Sequence, residues 1–204
     1  MAAAAALTVG CASPADHAET QSAMVTKAAG PAPNNQLPAA PAPAPAAPVC
    51  GDPATMTTRD KLAQLLMVGV SNAADARAVV DSQHVGGIMI GSWTDLSMLT
   101  DGSLPDTANA GPLPLAVSVD EEGGRVSRLA SLIGASPSAR VLAQTQTPDE
   151  VYQLALSRGQ KMRGLGITVD FAPVVDVSDQ GDDTVIGDRS FSNDPAPFAA
   201  NAGA

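Results

Sequence analysis

Aromatic side chains make up 2% of this 204-residue chain, so aliphatic side chains must fill any core it builds. No run of 18 or more consecutive apolar residues occurs, which excludes a membrane-spanning helix of ordinary length. Basic clusters are missing too, and 11 Lys and Arg against 21 Asp and Glu leave a formal charge of −10. A nucleic-acid partner would favour a basic stripe, so no nucleic acid is expected. His17 lies in the linker and His84 at a helix end, so no histidine cluster exists, and no metal and no cofactor is expected. What remains is a 45% hydrophobic content, enough for an aliphatic core under an acidic, solvated surface.

The first 55 residues do not read as a folded domain. "MAAAAALTVGC" (1–11) is a short apolar leader that lacks a basic start. Its "LTVGC" resembles a bacterial lipobox, with Thr8 where such boxes prefer Leu, Val or Ile; Cys11 would then be lipidated. The implied partner is a membrane, reached through a lipid anchor. Residues 12–55 are rich in Ala and Pro, and "PAAPAPAPAAPV" (38–49) is a polyproline-type tract extending about 3.1 Å per residue. Such a segment buries too little apolar surface to offset its ordering, so a disordered spacer is expected. Cys50 has no evident partner if Cys11 carries lipid; one lying past Ala204 is the economical expectation.

The folded part is expected over 56–204. Thr57 and Asp60 have capping spacing, and Leu62, Leu65 and Leu66 in "KLAQLLMVGV" have helix spacing. "DARAVVDSQHV" reads as a second helix with His84 at its end, "GGIMIGS" as a buried strand and "LPLAVSVD" as another. Thr147-Pro148-Asp149-Glu150 supplies a cap, a proline at the first helical position and first-turn acids for a helix to about Leu165. "GLGITVDFAPVVDV" then gives a helix stop and a further strand. Strands alternating with helices, and apolar without clean alternation, indicate a parallel sheet buried on both faces. A full (β/α)₈ barrel needs about 250 residues. Only roughly 150 follow the leader and spacer, leaving an incomplete barrel or a small open sheet.

Chemistry is expected at the carboxyl ends of the strands. "AVSVDEEGGRVSRL" places Asp120, Glu121, Glu122, Gly123, Gly124, Arg125 and Arg128 there, and "DFAPVVDVSDQGDDTVIGDRSF" ends in Asp188 and Arg189. Asp120 and Glu122 stand about 6.6 Å apart on one strand. They are not a glycosidase pair, because catalytic carboxylates must flank the scissile bond rather than point side by side. Two parallel acids beside two arginines fit hydrogen-bonding to hydroxyls, or bracing the arginines. Gly123-Gly124 permits a sharp turn but is no P-loop, since no Gly-Lys-Ser/Thr follows. "DVSDQGDD" from Asp176 resembles a calcium loop, yet Gly187 falls where a bidentate Glu is needed. Trp93 reads as a loop anchor or a sugar-stacking platform.

The segments "AVSVDEEGGRVSRL", "GITVDFAPVVDV" and "IGDRSFSNDP", in that order over about Thr57 to Pro195, closely resemble glycoside hydrolase family 3. The nearest branch is that of bacterial β-N-acetylglucosaminidases trimming cell-wall fragments, particularly actinobacterial lipoproteins. The resemblance implies the N-terminal portion of a (β/α)₈ TIM-like barrel, incomplete in this chain. It implies that Asp120 hydrogen-bonds hydroxyls of the terminal sugar, that Arg128 and Arg189 line the same subsite, and that Glu122 and Arg125 are mainly structural. The substrate implied is a small oligosaccharide or murein fragment outside the cytoplasmic membrane. The family's Asp nucleophile and Asp-His acid/base follow a Lys-His-Phe-Pro-Gly-His-Gly type motif that this sequence does not contain. The catalytic groups are therefore expected beyond Ala204, and the chain alone is expected to be inactive and poorly folded. Alternative expectations are a non-catalytic carbohydrate-binding lipoprotein, or a β-glucosidase or β-xylosidase of the same family.

Overall fold

The computed structural model describes residues 51–203; Cys11, Cys50 and the rest of the leader and spacer lie outside the described residues. After a 3-10 turn at Pro53–Thr55, the elements follow as α1 (Thr58–Ala63), β1 (Met67–Val70), α2 (Ala73–Gln83), β2 (Gly87–Ile90), α3 (Ser103–Ala108) and β3 (Ala116–Val119). Then come the hairpin strands β4 (Glu121–Gly123) and β5 (Val126–Ser127), α4 (Ala130–Ile133), α5 (Ala139–Thr145), α6 (Pro148–Gly164), β6 (Val169–Asp170) and α7 (Pro195–Ala202).

β1, β2, β3 and β6 form one parallel sheet in sequence order, each pairing with the next. Sequential parallel order is how a barrel wall is laid down, so the four strands form an incomplete barrel wall. The register places Val70, Ile90, Val119 and Asp170 side by side, and Gly69, Met89, Ser118 and Val169 in the neighbouring row. Side chains alternate along a strand, so these two rows occupy opposite faces. The first face carries the core: Val70, Ile88, Ile90, Val117 and Val119 are sealed against Ala76 and Val80 of α2, Leu104 of α3 and Met162 of α6. Each such side chain contributes about 1.5–3 kcal/mol by leaving water. The second face is only partly covered, with Met67 and Gly69 exposed and Ser118 buried. A sheet buried equally on both faces was the expectation; the described residues cover one face with helices and leave the other partly open.

The two capping signals read from the sequence stand at the starts of α1 and α6. The Thr57 hydroxyl accepts from the Asp60 N–H, and Thr147 with Glu150 forms a reciprocal capping box under Pro148. His84 caps α2 in the left-handed region at φ 56°, with its ring Nδ1 2.9 Å from Asp60. The Asp60 carboxyl is lowered by the Thr57 hydroxyl and then by His84. One segment departs from expectation. α1 ends at Ala63, so Leu62, Leu65 and Leu66 are exposed rather than a buried helical stripe, with Leu65 81% accessible. Gly86 N–H donates to Ala63 O and Gly87 N–H to Leu66 O, so the chain is already entering its pairing with β2. A four-residue apolar strand behind a two-turn helix has no period of its own to reveal it.

Candidate sugar-binding site

The candidate site is built where β3 ends. Asp120 directly follows Val119, and as the second residue after Ser118 it belongs to the open face of the sheet. The chain then doubles back through the β4–β5 hairpin. Gly123 and Gly124 adopt φ 90° and 54°, which L side chains rarely adopt, and a Cβ on Gly123 would stand 2.4 Å from Pro137 O. The turn expected from the double glycine is therefore present, and it also packs closely on the 136–138 segment.

Glu121 organises the hairpin from within. Its side chain is fully buried. Oε2 accepts the backbone N–H groups of Arg128 and Leu129, both at 2.7 Å, while Oε1 accepts from the Ser127 hydroxyl and from Arg158 Nη2. Four donors saturate the carboxylate, which is the condition for keeping such a charge out of water. Arg158, on α6, also donates to Gly134 O at 2.9 Å. Sequence reading passed over this pair. The signal was available, because Val151, Ala155, Arg158 and Met162 fall on one helical stripe and put a cation among apolar positions.

Glu122 and Arg125 tie the hairpin to the distant 182–189 segment. Glu122 accepts from Arg189 Nε and Nη2, each at 2.7 Å. This pairing raises the Arg189 guanidinium pKa above its ordinary value, hydrogen bonding to Glu122 being the largest cause. Arg125 Nε lies 3.0 Å from Asp188, and its Nη2 donates to the carbonyls of Thr184, Val185 and Ile186. Arg189 does not pair with its sequence neighbour Asp188: Asp188 faces Arg125 and Arg189 faces Glu122. Arg189 has five N–H donors; two go to Glu122 and one to Val185 O, which leaves two uncommitted among the described residues.

Behind Glu122, the Asp120 charge also favours the protonated Arg189 guanidinium. Neither the Asp120 carboxylate nor the Arg128 guanidinium has a hydrogen-bond partner among the described residues, whereas the Arg128 backbone is fixed by Glu121. Asp170 sits on the opposite, helix-side face beside Val119, and its Oδ1 accepts from Glu121 N at 2.9 Å. Burial pushes the Asp170 carboxyl up; the Glu121 N–H opposes this, and the Glu121 and Asp120 charges reinforce it. A cleft of about 340 Å³ is lined by Glu121, Glu122, Arg158, Asp170, Arg189 and Phe191 among others, so it reaches the Glu122–Arg189 pair, while Asp120 and Arg128 do not line it.

The acids of "DVSDQGDD" do not assemble an ion site. Arg140 donates to Ser178 O at 3.0 Å, Gln180 O at 2.8 Å and Asp182 Oδ1 at 2.7 Å, so a guanidinium occupies three of the loop's acceptors. Among the described residues no group of three or more His, Cys, Asp or Glu side chains is placed to hold a metal.

Residues 57–204 match the glycosyl hydrolase family 3 N terminal domain. The whole chain is 59% identical to the β-hexosaminidase LpqI of Mycobacterium tuberculosis, of which it spans 51%. Among solved structures it resembles a family 3 glycosyl hydrolase from Mycobacterium smegmatis, with 74% identity and TM-score 0.73 over 74% of this chain and 46% of that one. A family 3 β-N-acetylglucosaminidase from Paenibacillus matches at 29% identity and TM-score 0.65, over 72% of this chain and 30% of that one. The chain thus spans about half the length of the curated Mycobacterium tuberculosis relative and of its Mycobacterium bovis counterpart. By this match and this architecture, the chain belongs to glycoside hydrolase family 3 and carries the family's N-terminal domain.

Proposed function

We propose that this domain is the sugar-holding part of a retaining, exo-acting β-N-acetylglucosaminidase that cleaves O-glycosidic bonds in cell-wall saccharides. The observation that carries the reading is Asp120. It is a carboxylate at the carboxyl end of a barrel strand, on the open face, with no hydrogen-bond partner among the described residues and with Arg189 in its field. A free carboxylate in that place accepts hydroxyl hydrogen bonds, and the two uncommitted Arg189 donors with the Arg128 guanidinium supply complementary donors. The names borne by the relatives, β-hexosaminidase and β-N-acetylglucosaminidase, support the choice of an aminosugar.

In this reading Asp120, Arg128 and Arg189 orient the terminal sugar while a carboxylate nucleophile outside this sequence forms a glycosyl-enzyme that water releases with retention. Glu121 is a positioning residue, because it holds the backbone at Arg128. The 204-residue chain alone is inactive by the same reading, and Cys11 carries the lipid that holds the protein at the outer face of the cytoplasmic membrane.

The test uses the full-length protein carrying this domain. Hydrolysis of p-nitrophenyl N-acetyl-β-glucosaminide, followed by NMR of the first anomer released, should show the β anomer. Asp120→Ala should lower kcat/KM by roughly 100-fold, the worth of one or two hydrogen bonds to a charged group. An unchanged kcat/KM removes Asp120 from the site, and an α anomer removes the retaining mechanism. Mass spectrometry of the mature N-terminus decides whether Cys11 is acylated.

A further inference from the structure

We propose that Trp93 is the apolar wall of the sugar site, with the C–H face of the terminal pyranose packed on the outward face of its indole. The proposal rests on the saccharide reading above and adds a residue that fixes which ring fits beside Asp120.

The geometry comes from two glycines. A Cβ built on Gly91 would lie 2.6, 2.6 and 2.7 Å from Cη2, Cζ2 and Cε2 of Trp93. Three consecutive ring atoms at nearly equal distance place that point over the face of the six-membered ring; a point off the rim would be far nearer to Cζ2 than to its neighbours. Gly69 shows the rim pattern, with 2.8 Å to Cζ2 and 3.7 and 3.8 Å to Cε2 and Cη2. The indole therefore lies with one face on the Gly91 backbone and its edge against Gly69. Any side chain at Gly91 would lift it. The residue is 60% exposed, so the other face is not covered by the described residues.

Gly69 lies in the same row as Met89 and Ser118, and Gly91 and Asp120 are each two residues further along, so all belong to the open face. Gly91 and Asp120 directly follow the last register pair, Ile90 and Val119. Adjacent strands run about 4.8 Å apart, so the indole and the Asp120 carboxylate can address a single pyranose. A flat apolar surface beside a hydrogen-bonding carboxylate matches the amphipathic surface of a sugar, whose C–H groups and hydroxyls point different ways.

The competing role for Trp93, anchoring its loop, is already filled by its neighbours. Thr94 Oγ1 donates to Val70 O at 2.6 Å and accepts from Gly91 N at 3.0 Å, and Asp95 N donates to Ser71 O at 2.8 Å. Trp93 takes no part in the buried apolar clusters.

The experiment measures KM and kcat for the aryl glycoside, Ki for free N-acetylglucosamine and thermal midpoint in the full-length protein. Trp93→Leu keeps an apolar side chain on Gly91 but lacks a flat face; it should raise both KM and Ki about 10-fold with kcat within about 2-fold. Trp93→Phe should stay within about 3-fold of wild type. Gly91→Ala, which leaves Trp93 in place and displaces its ring, should raise Ki in the same direction. An active wild type whose Leu and Gly91→Ala variants keep their Ki overturns this proposal alone, as does a fall in thermal midpoint with Ki unchanged. A Ki effect absent with the free sugar and present only with longer saccharides also overturns it, since Trp93 would then face the leaving group. A wild type that neither cleaves the glycoside nor binds N-acetylglucosamine overturns the saccharide reading, and this proposal with it.

Discussion

Glu122 and Arg189 stand 67 residues apart and meet through two parallel hydrogen bonds of 2.7 Å. The pair joins the hairpin after β3 to the segment before α7, so two of the sequence motifs become one structural unit. It also sets the plane of the Arg189 guanidinium, which decides where its two remaining donors point.

That clamp should behave as a coupled unit. Glu122→Ala and Arg189→Ala in a double-mutant cycle should show a coupling of about 1.5–3 kcal/mol in urea unfolding. Arg189→Lys should not restore it, because an ammonium cannot make the two-point contact. Additive single effects would mean that the two side chains are not paired in solution.

The buried Glu121–Arg158 pair should be more sensitive to loss of its cation. Arg158→Met leaves a buried carboxylate with an uncompensated charge, and denaturation should report a loss of about 3–5 kcal/mol. Changing both residues to apolar ones of similar size should recover part of that loss. The Arg128 and Leu129 amides, which also rely on Glu121, keep the recovery incomplete. A near-neutral Arg158→Met would contradict the burial seen here.

Asp170 sets a pH dependence with a definite sign. Its carboxyl is held above the ordinary range, mainly by burial, so the folded state keeps its proton to higher pH than the unfolded state. Its contribution to stability therefore falls as pH rises through the window between the ordinary and the raised value. Asp170→Asn retains an oxygen to accept the Glu121 N–H and cannot ionise. Urea midpoints measured across that window should lose part of their decline with pH, and at about pH 7 the variant should be at least as stable as wild type. An Asn variant with an unaltered profile would rule the linkage out.

The capping box offers a local check. Thr147→Ala removes the acceptor for the Glu150 N–H and the partner of the Glu150 carboxylate, and should cost about 1 kcal/mol. Thr147→Asn or Thr147→Ser should recover most of it. An Ala variant as stable as wild type would show that α6 is held by packing alone.

Local chemistry made much of this protein legible in its sequence. Thr57, Thr147, Pro148 and Glu150 announce helix starts because capping is decided within four residues. The Gly123-Gly124 turn is legible because its φ values exclude nearly every other residue pair. The apolar runs at Gly87–Ile90 and Ala116–Val119 announce parallel strands for the same local reason. The motifs around Asp120 and Arg189, read together, indicated the family. What the tertiary structure decided is which charge meets which. Glu121, Glu122, Arg125, Arg158, Asp188 and Arg189 are interchangeable in a reading of composition, and only the parallel register with the packing of α6 assigns Glu121 to Arg158, Glu122 to Arg189 and Arg125 to Asp188. The exposed leucines after α1 and the indole seated on Gly91 follow from the same cause. Strand pairing and face are set by residues twenty or more positions away, and no local period records them.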